Sequence, residues 1–236
     1  MEPVIIKNIG GGIKVGYSGK TLGNTHERFS KDAIANFAKF KASFAGKTVY
    51  DMPAVGGDNI IEIDGMMPKE VLDLEADGLI TKQPSALLTL RAADCIPLVF
   101  YAPGQAILGL AHVGTRGAAL HLPCKMVKRL GVDPGLLRVY VGPSISQKSY
   151  LFPPDYDFDN KALDSSWDSY KSQEPDGIHI NLLGYVLDEL KSCGITDENT
   201  EVEKVDTGGD QKYFSHRRHN NTGEPDGRNS FGVCLI

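Results

Sequence analysis

Residues 91–117 read RAADCIPLVFYAPGQAILGLAHVGTRG, two apolar runs joined by a short Pro-Gly turn. Runs of this length bounded by turn residues predict two buried strands of a hairpin. Asp94 and Cys95 stand where the first strand begins. His112 stands where the second ends, followed by Gly114, Arg116 and Gly117. Closing the hairpin brings Cys95 and His112 together, although 17 positions separate them in the chain. A thiol, an imidazole, a carboxylate and a guanidinium at the open end of two core strands make a candidate reaction centre. The plain alternative is a small buried thiol and a satisfied core histidine.

N-terminal to the hairpin, residues 4–18 alternate around Gly10-Gly11-Gly12 and predict another short hairpin. Ser30 is expected to cap a helix whose apolar stripe runs through Ile34, Phe37, Phe40 and Phe44. KTVYDM and NIIEID are expected strands around the turn AVGGD, MMPKEVLDLEADG a surface connection, and GLIT and ALLTL strands again. C-terminal to the hairpin, a helix after Gly117 should turn Leu120, Val127 and Leu130 inward and kink or break at Pro123. LLRVYVG predicts a buried strand. Residues 150–180 are polar and aromatic with weak periodicity, an excursion rather than core. Asn181 should cap a helix with Leu182, Tyr185, Val186, Glu189 and Leu190 at helical spacing and Gly194 as its stop. TEVEKVDT and FGVCLI are the last expected strands. With no repeat and no linker, residues 1–236 read as a single domain of the α/β (α+β) class around a mixed sheet.

The hydrophobic fraction of 41% and charged fraction of 23% are those of an ordinary globular chain. A net charge of −5 offers neither a basic footprint for nucleic acid nor a polybasic membrane anchor. No apolar run approaches the roughly 20 residues of a membrane span. MEPVIIKNIGGG lacks a basic region and cleavage site, so the expected location is cytoplasmic. Cys95, Cys124, Cys193 and Cys234 are widely spaced with no CxxC pair, which predicts reduced, mostly buried thiols. None of the six histidines forms an HxH or HExxH pair, so any metal site must be assembled from distant segments.

At Ala93-Asp94-Cys95, His112-Val113-Gly114-Thr115-Arg116-Gly117, Gly142-Pro143-Ser144-Ile145 and Phe214-Ser215-His216-Arg217-Arg218 the sequence resembles the YfiH-like, laccase-domain family. That family, long labelled polyphenol oxidase, is described as purine nucleoside phosphorylases. Its pattern runs TADC, HAGWRG, GPxI and FSYRRDGxTGR. Thr222-Gly223 and Arg228 match the last piece if EPDG is an insertion. ERFSKDAIANF and EADGLIT also look like family stretches, so the resemblance spans nearly the whole chain in order.

The resemblance implies a single-domain sandwich around a mixed sheet, similar to the catalytic domain of the cytotoxic necrotizing factors, which are cysteine-dependent deamidases. It implies phosphorolysis of adenosine and related nucleosides to base and ribose 1-phosphate, with an accompanying adenosine deaminase activity, at a His, Cys, His zinc site. Cys95 and His112 match two of the zinc ligands. The third falls on Val55-Gly56-Gly57, so that ligand position is Gly56, with Asp58 or Asp51 the nearest oxygen donors. Thr115 replaces the family Trp, Lys148-Ser149 a Cys pair, Asp206 a further Cys, and His216 a Tyr. The chain thus resembles a divergent member.

On this reading Cys95, His112 and Asp94 are the candidate catalytic residues, and Cys95 and His112 the candidate zinc ligands. Asp94 would orient His112 or accept from a ribose hydroxyl; a strand cap is the alternative. Arg116, Ser215, Arg217 and Arg218 are candidate phosphate or substrate contacts, since phosphorolysis needs cations beside an oxocarbenium-like centre. The expected partners are a purine nucleoside and phosphate. A metal-free hydrolase or deamidase built on a Cys95–His112 dyad, or a non-catalytic binding relative, are the competing readings. A copper oxidase fits poorly, because multi-copper sites need several His pairs.

Overall fold

The computed structural model describes residues 2–156, 158, 163 and 165–236. In chain order its elements are β1 (Val4–Asn8), β2 (Ile13–Ser18), α1 (Ala33–Ala42), β3 (Thr48–Asp51), β4 (Ile60–Glu62), α2 (Pro68–Leu72), β5 (Gly78–Thr81) and β6 (Ala86–Ala92). The central hairpin follows as β7 (Ile96–Tyr101) and β8 (Leu108–Val113), then α3 (Thr115–Ala119), α4 (Leu122–Leu130) and β9 (Arg138–Val141). The remainder is β10 (Leu151–Phe152), β11 (Lys171–Glu174), β12 (Gly177–Ile180), α5 (Leu182–Ser192), β13 (Thr200–Val202), α6 (His216–Thr222) and β14 (Asn229–Leu235).

Two mixed sheets form the centre, where the sequence predicts one. Their orders are β1-β2-β14-β6-β3 and β13-β9-β7-β8-β5-β4. The period-2 alternation of strand side chains shows how they pack. On β7 and β8, Val99, Tyr101, Leu108 and Leu110 meet Val15, Leu88, Leu90 and Phe231 of the other sheet. Leu98, Phe100, Ala111 and Val113 point the opposite way, into a core closed by Leu122 and Met126 of α4 and Val186 and Leu190 of α5. Phe40 and Phe44 cover the outer side of the five-stranded sheet. The central strands are thus buried on both faces, which explains why β7 and β8 read as continuous apolar runs.

Most local expectations hold. The 4–18 hairpin forms, and Asn181 caps α5 by accepting from Gly184 N. The five residues assigned to the inner side of α5 are its buried residues. Some differ. α1 starts after Asp32 rather than Ser30, and Ile34 lies on its solvent side, 68% exposed. The helix after β8 begins at Thr115 and breaks at Leu120-His121, with His121 left-handed at φ 60°. Pro123 causes no kink because it occupies the first turn of α4, where no backbone donor is needed.

The strands KTVYDM and NIIEID, like GLIT and ALLTL, divide between the two sheets. The segment read as surface connection contains α2 and buries Val71, Ala76 and Asp77. Residues 157, 159–162 and 164 of the expected 150–180 excursion lie outside the described residues. The rest is a third sheet, β10-β12-β11, with Phe152, Trp167 and Ile180 in the core. Cys124 and Cys193, expected as reduced thiols, form a disulfide between α4 and the end of α5, with a Cα–Cα separation of 5.7 Å.

Candidate active site

Three neighbouring strands deliver three side chains to one end of the six-stranded sheet. Pro97 on β7 lies opposite His112 on β8, so Cys95, two residues earlier, sits beside the His112 ring. Gly78 on β5 lies opposite Ala111, and the His112 N–H donates to the Asp77 carbonyl at 2.8 Å. The residue before β5 is therefore held against the residue near the end of β8. His112 Nδ1 is 2.9 Å from Asp77 Oδ1, and the ring also hydrogen-bonds Cys95, which falls to Nε2. Gly114 leaves room for the thiol: a Cβ there would lie 3.0 Å from Cys95 Sγ.

Asp77 is fully buried, and its carboxylate accepts backbone N–H bonds from Val55, Gly56 and Gly57 at 3.2, 2.9 and 2.6 Å. Gly56 has φ +74°, the left-handed conformation that aims successive amides at one anion. Burial works to raise the Asp77 carboxyl, but its bonds to His112, Gly57 and Gly56 hold it below the usual range. For His112, burial disfavours the imidazolium. The Cys95 sulfur and the Asp77 carboxylate, on the two sides of the ring, outweigh that and push it up to about 10. The site is a linear thiol–imidazolium–carboxylate array, with the carboxylate fixing the ring tautomer.

A cavity of about 70 Å³ adjoins Cys95, lined by Asp94, Tyr150, Leu182, His216 and Arg217 among others. The Arg217 guanidinium lies 3.7 Å from the Phe152 ring centroid and 5.4 Å from that of Tyr150. Its Nε is buried and has no hydrogen-bond partner among the described residues. Burial, then the Cys95 sulfur, push the Tyr150 hydroxyl up to about 12, so it stays protonated, while a hydrogen bond from Thr115 works the other way. The aromatic residues of this segment pack on one another, with Phe152 4.7 Å from Tyr156 and 5.1 Å from Phe158.

The other candidate residues are placed differently. Asp94, at φ +90°, accepts from Thr207 Oγ1, Ser215 Oγ and Arg217 N at 2.8, 2.9 and 2.6 Å. It thereby ties the start of β7 to α6 rather than orienting His112, whose Nδ1 belongs to Asp77. Ser215 caps α6 by accepting from Arg218 N at 3.1 Å. Arg218 is buried and donates to the carbonyls of Thr207, Gly208 and Tyr213 and to Glu224 Oε1, at 2.6–2.8 Å. Those bonds occupy its donors within the fold. Arg116 is exposed, with no hydrogen bond or ion pair to a described residue. Of the four proposed phosphate contacts, only Arg217 borders the Cys95 cavity. Ser149 and Asp206, which stand where the family pattern has cysteines, touch through Ser149 Oγ donating to Asp206 Oδ2 at 2.6 Å.

The donor set does not fit a catalytic zinc, which takes three protein ligands and an open position. Cys95 Sγ and His112 Nε2 are two. Gly56 brings no side chain, and the Asp77 oxygens are taken by His112 and three amides. Asp51 is bonded to Arg91 and Thr89, and Asp58 is paired with Lys125. Among the described residues no three His, Cys, Asp or Glu side chains converge as metal ligands.

The sequence reading missed Asp77 as a site residue, and set aside the aromatic residues at 150–158, Tyr150 among them, as local packing rather than a stacking surface for a purine. Asp77 carries a signal: a carboxylate directly before a fully apolar strand cannot be solvated as the strand leaves the surface, so it must be paired. The approach of Tyr150 to Cys95 depends on the third sheet, which the sequence did not show.

The family model described as multi-copper polyphenol oxidoreductase laccase matches residues 4–230. A purine nucleoside phosphorylase of Rickettsia conorii is 25% identical over 229 residues, covering 92% of this chain and 93% of that protein. The purine nucleoside phosphorylase YlmD of Geobacillus stearothermophilus is 31% identical over 159 residues, covering 62% of this chain and 56% of that protein. Among solved structures, YfiH of Bacillus licheniformis superposes with a TM-score of 0.80 at 24% identity, covering 95% of this chain and 93% of that one. The fold is shared as well by a Neisseria meningitidis protein, with a TM-score of 0.81 at 16% identity over 99% of both chains. The chain therefore belongs to the YfiH-like, laccase-domain family.

Proposed function

We propose that the chain is a purine nucleoside phosphorylase-type enzyme whose reaction centre is Cys95, His112 and Asp77, with Arg217 as the anion-holding residue. The observation that carries this is a buried guanidinium nitrogen of Arg217, without a partner among the described residues, at the cavity that Cys95 borders, with the His112 ring hydrogen-bonded to Cys95 behind it. Curated relatives named purine nucleoside phosphorylase support it. Arg217 holds inorganic phosphate, and a phosphate oxygen bonds to C1′ of the ribose. The C1′–N9 bond breaks with its electron pair passing to the base. His112 donates its Nε2 proton to the departing purine and regains one from the phosphate, so base and ribose 1-phosphate leave with the protons balanced. Cys95 and Asp77 hold the imidazolium. The cavity of about 70 Å³ is far below the ~300–1,000 Å³ of small-molecule sites, so a nucleoside requires the rim of Tyr150, His216 and Arg217 to move.

The array supports a second reading, a deamidase or hydrolase in which Cys95 attacks and His112 relays the proton, because thiol, imidazole and carboxylate stand in the order such enzymes use. Incubation with adenosine, with and without phosphate, separates the two. Phosphate-dependent release of adenine and ribose 1-phosphate, with KM for phosphate raised by Arg217→Ala, supports phosphorolysis. Phosphate-independent ammonia release with a covalent Cys95 intermediate supports the hydrolase. Adenosine untouched under both conditions overturns the first reading.

A further inference from the structure

A second cluster lies between α4 and α5, apart from the Cys95 cavity. Leu182 at the start of α5 borders that cavity, and Cys193 lies eleven residues on, about 16 Å at 1.5 Å per residue. His121 and Cys124 are spaced i, i+3 at the start of α4; Glu189 and Cys193 are spaced i, i+4 at the end of α5. Such spacings put both members of each pair on one side.

His121, Cys124 and Glu189 line an open groove of about 510 Å³, and the disulfide joins Cys193 to Cys124. His121 Nδ1 is 3.7 Å from Glu189 Oε1. Glu189 is only 8% exposed; its Oε1 accepts Cys124 N–H at 3.2 Å, while Oε2 is buried with no partner among the described residues. An unpaired buried carboxylate oxygen is costly unless a cation or a proton meets it. The neighbouring Lys125 is paired with Asp58. Both sulfurs lie near the Glu189 carbonyl oxygen, at 3.4 Å for Cys124 and 3.1 Å for Cys193. Among the described residues no three His, Cys, Asp or Glu side chains converge as metal ligands, and with the sulfurs joined to each other only His121 and Glu189 are left here as donors.

We propose that, when the Cys124–Cys193 disulfide is reduced, His121, Cys124, Glu189 and Cys193 form a site for a thiophilic divalent cation such as zinc. The disulfide is the closed, oxidised state of that site. A dithiol reductant supplies two electrons and two protons to the S–S bond and leaves as its own disulfide. The two cysteine thiols then release their protons as the cation binds. Two thiolates, an imidazole and a carboxylate make a four-donor set of the borderline-soft kind that zinc takes.

The test uses the full chain carrying Cys95→Ala, so that the thiol of the other site is gone. The protein is dialysed against zinc chloride either oxidised or after reduction and anaerobic desalting. The reduced protein should retain about one zinc per chain and the oxidised protein none. Its cobalt(II) form should show a sulfur-to-metal charge-transfer band that weakens in Cys193→Ser. Glu189→Gln, which keeps the side-chain volume and the Oε1 acceptor, should lower zinc affinity at least about ten-fold. A reduced protein that takes up no zinc, or equal uptake by reduced Cys193→Ser and Glu189→Gln variants that retain their circular dichroism, would overturn the proposal.

Discussion

Asp77 shows how a residue with no solvent contact governs one that has some. Three amides and the His112 ring saturate its oxygens, and the ring in turn is presented to Cys95. Asp77→Asn keeps the volume but exchanges a charged acceptor for a neutral amide, which can no longer stabilise the imidazolium. Activity should fall on the order of 10²–10⁴, with circular dichroism unchanged. The adjacent arginines should separate cleanly. Arg218→Ala leaves three buried carbonyls and Glu224 without their donor and should cost about 3–5 kcal/mol in urea unfolding. Arg217→Ala removes a guanidinium with an unsatisfied nitrogen and should act on KM for phosphate with far less effect on stability. Both arginines stand in the same motif, and the sequence alone could not tell clamp from ligand. Adjacent side chains were expected to point apart, with at most one facing the pocket, and in α6 Arg217 borders the cavity while Arg218 turns into the fold.

At the scale of elements, what was legible is what short-range periodicity encodes. The β7–β8 hairpin, the α5 stripe with its Asn181 cap, and the meeting of Cys95 with His112 all follow from residues close in sequence. Weakly periodic segments were not legible. Residues 165–180 alternate poorly because Trp167 anchors a 3-10 turn, its ring 3.8 Å from that of Tyr185, rather than a strand or helix with one apolar side. Trp167→Ala should therefore cost about 3–5 kcal/mol, as core truncations of large aromatics do, measured by thermal or urea unfolding. A surface excursion would lose less than about 0.5 kcal/mol at the same position.

For the molecule as a whole, the sequence could not count the sheets. Strands adjacent in the chain cross between two layers, and strands buried on both faces carry no alternation to say which layer they join. That packing is nevertheless what makes the site, since it buries the end of the sheet where β5 and β7 start and β8 stops, and lets charges interact strongly. Burial there ties stability to pH. His112 is raised above the ordinary value of 6.5, so its contribution is complete below that value and is lost as pH rises towards about 10. Urea stability should decline over that interval in the native chain and decline less in His112→Ala.

The coupling of Cys95, His112 and Asp77 is read most directly by NMR titration of the ¹⁵N-labelled His112 ring. The imidazolium should persist to a midpoint near pH 10 and revert towards the ordinary 6.5 in Asp77→Asn. A His112 midpoint near 6.5 in the native chain, or one unmoved by Asp77→Asn, would contradict the array.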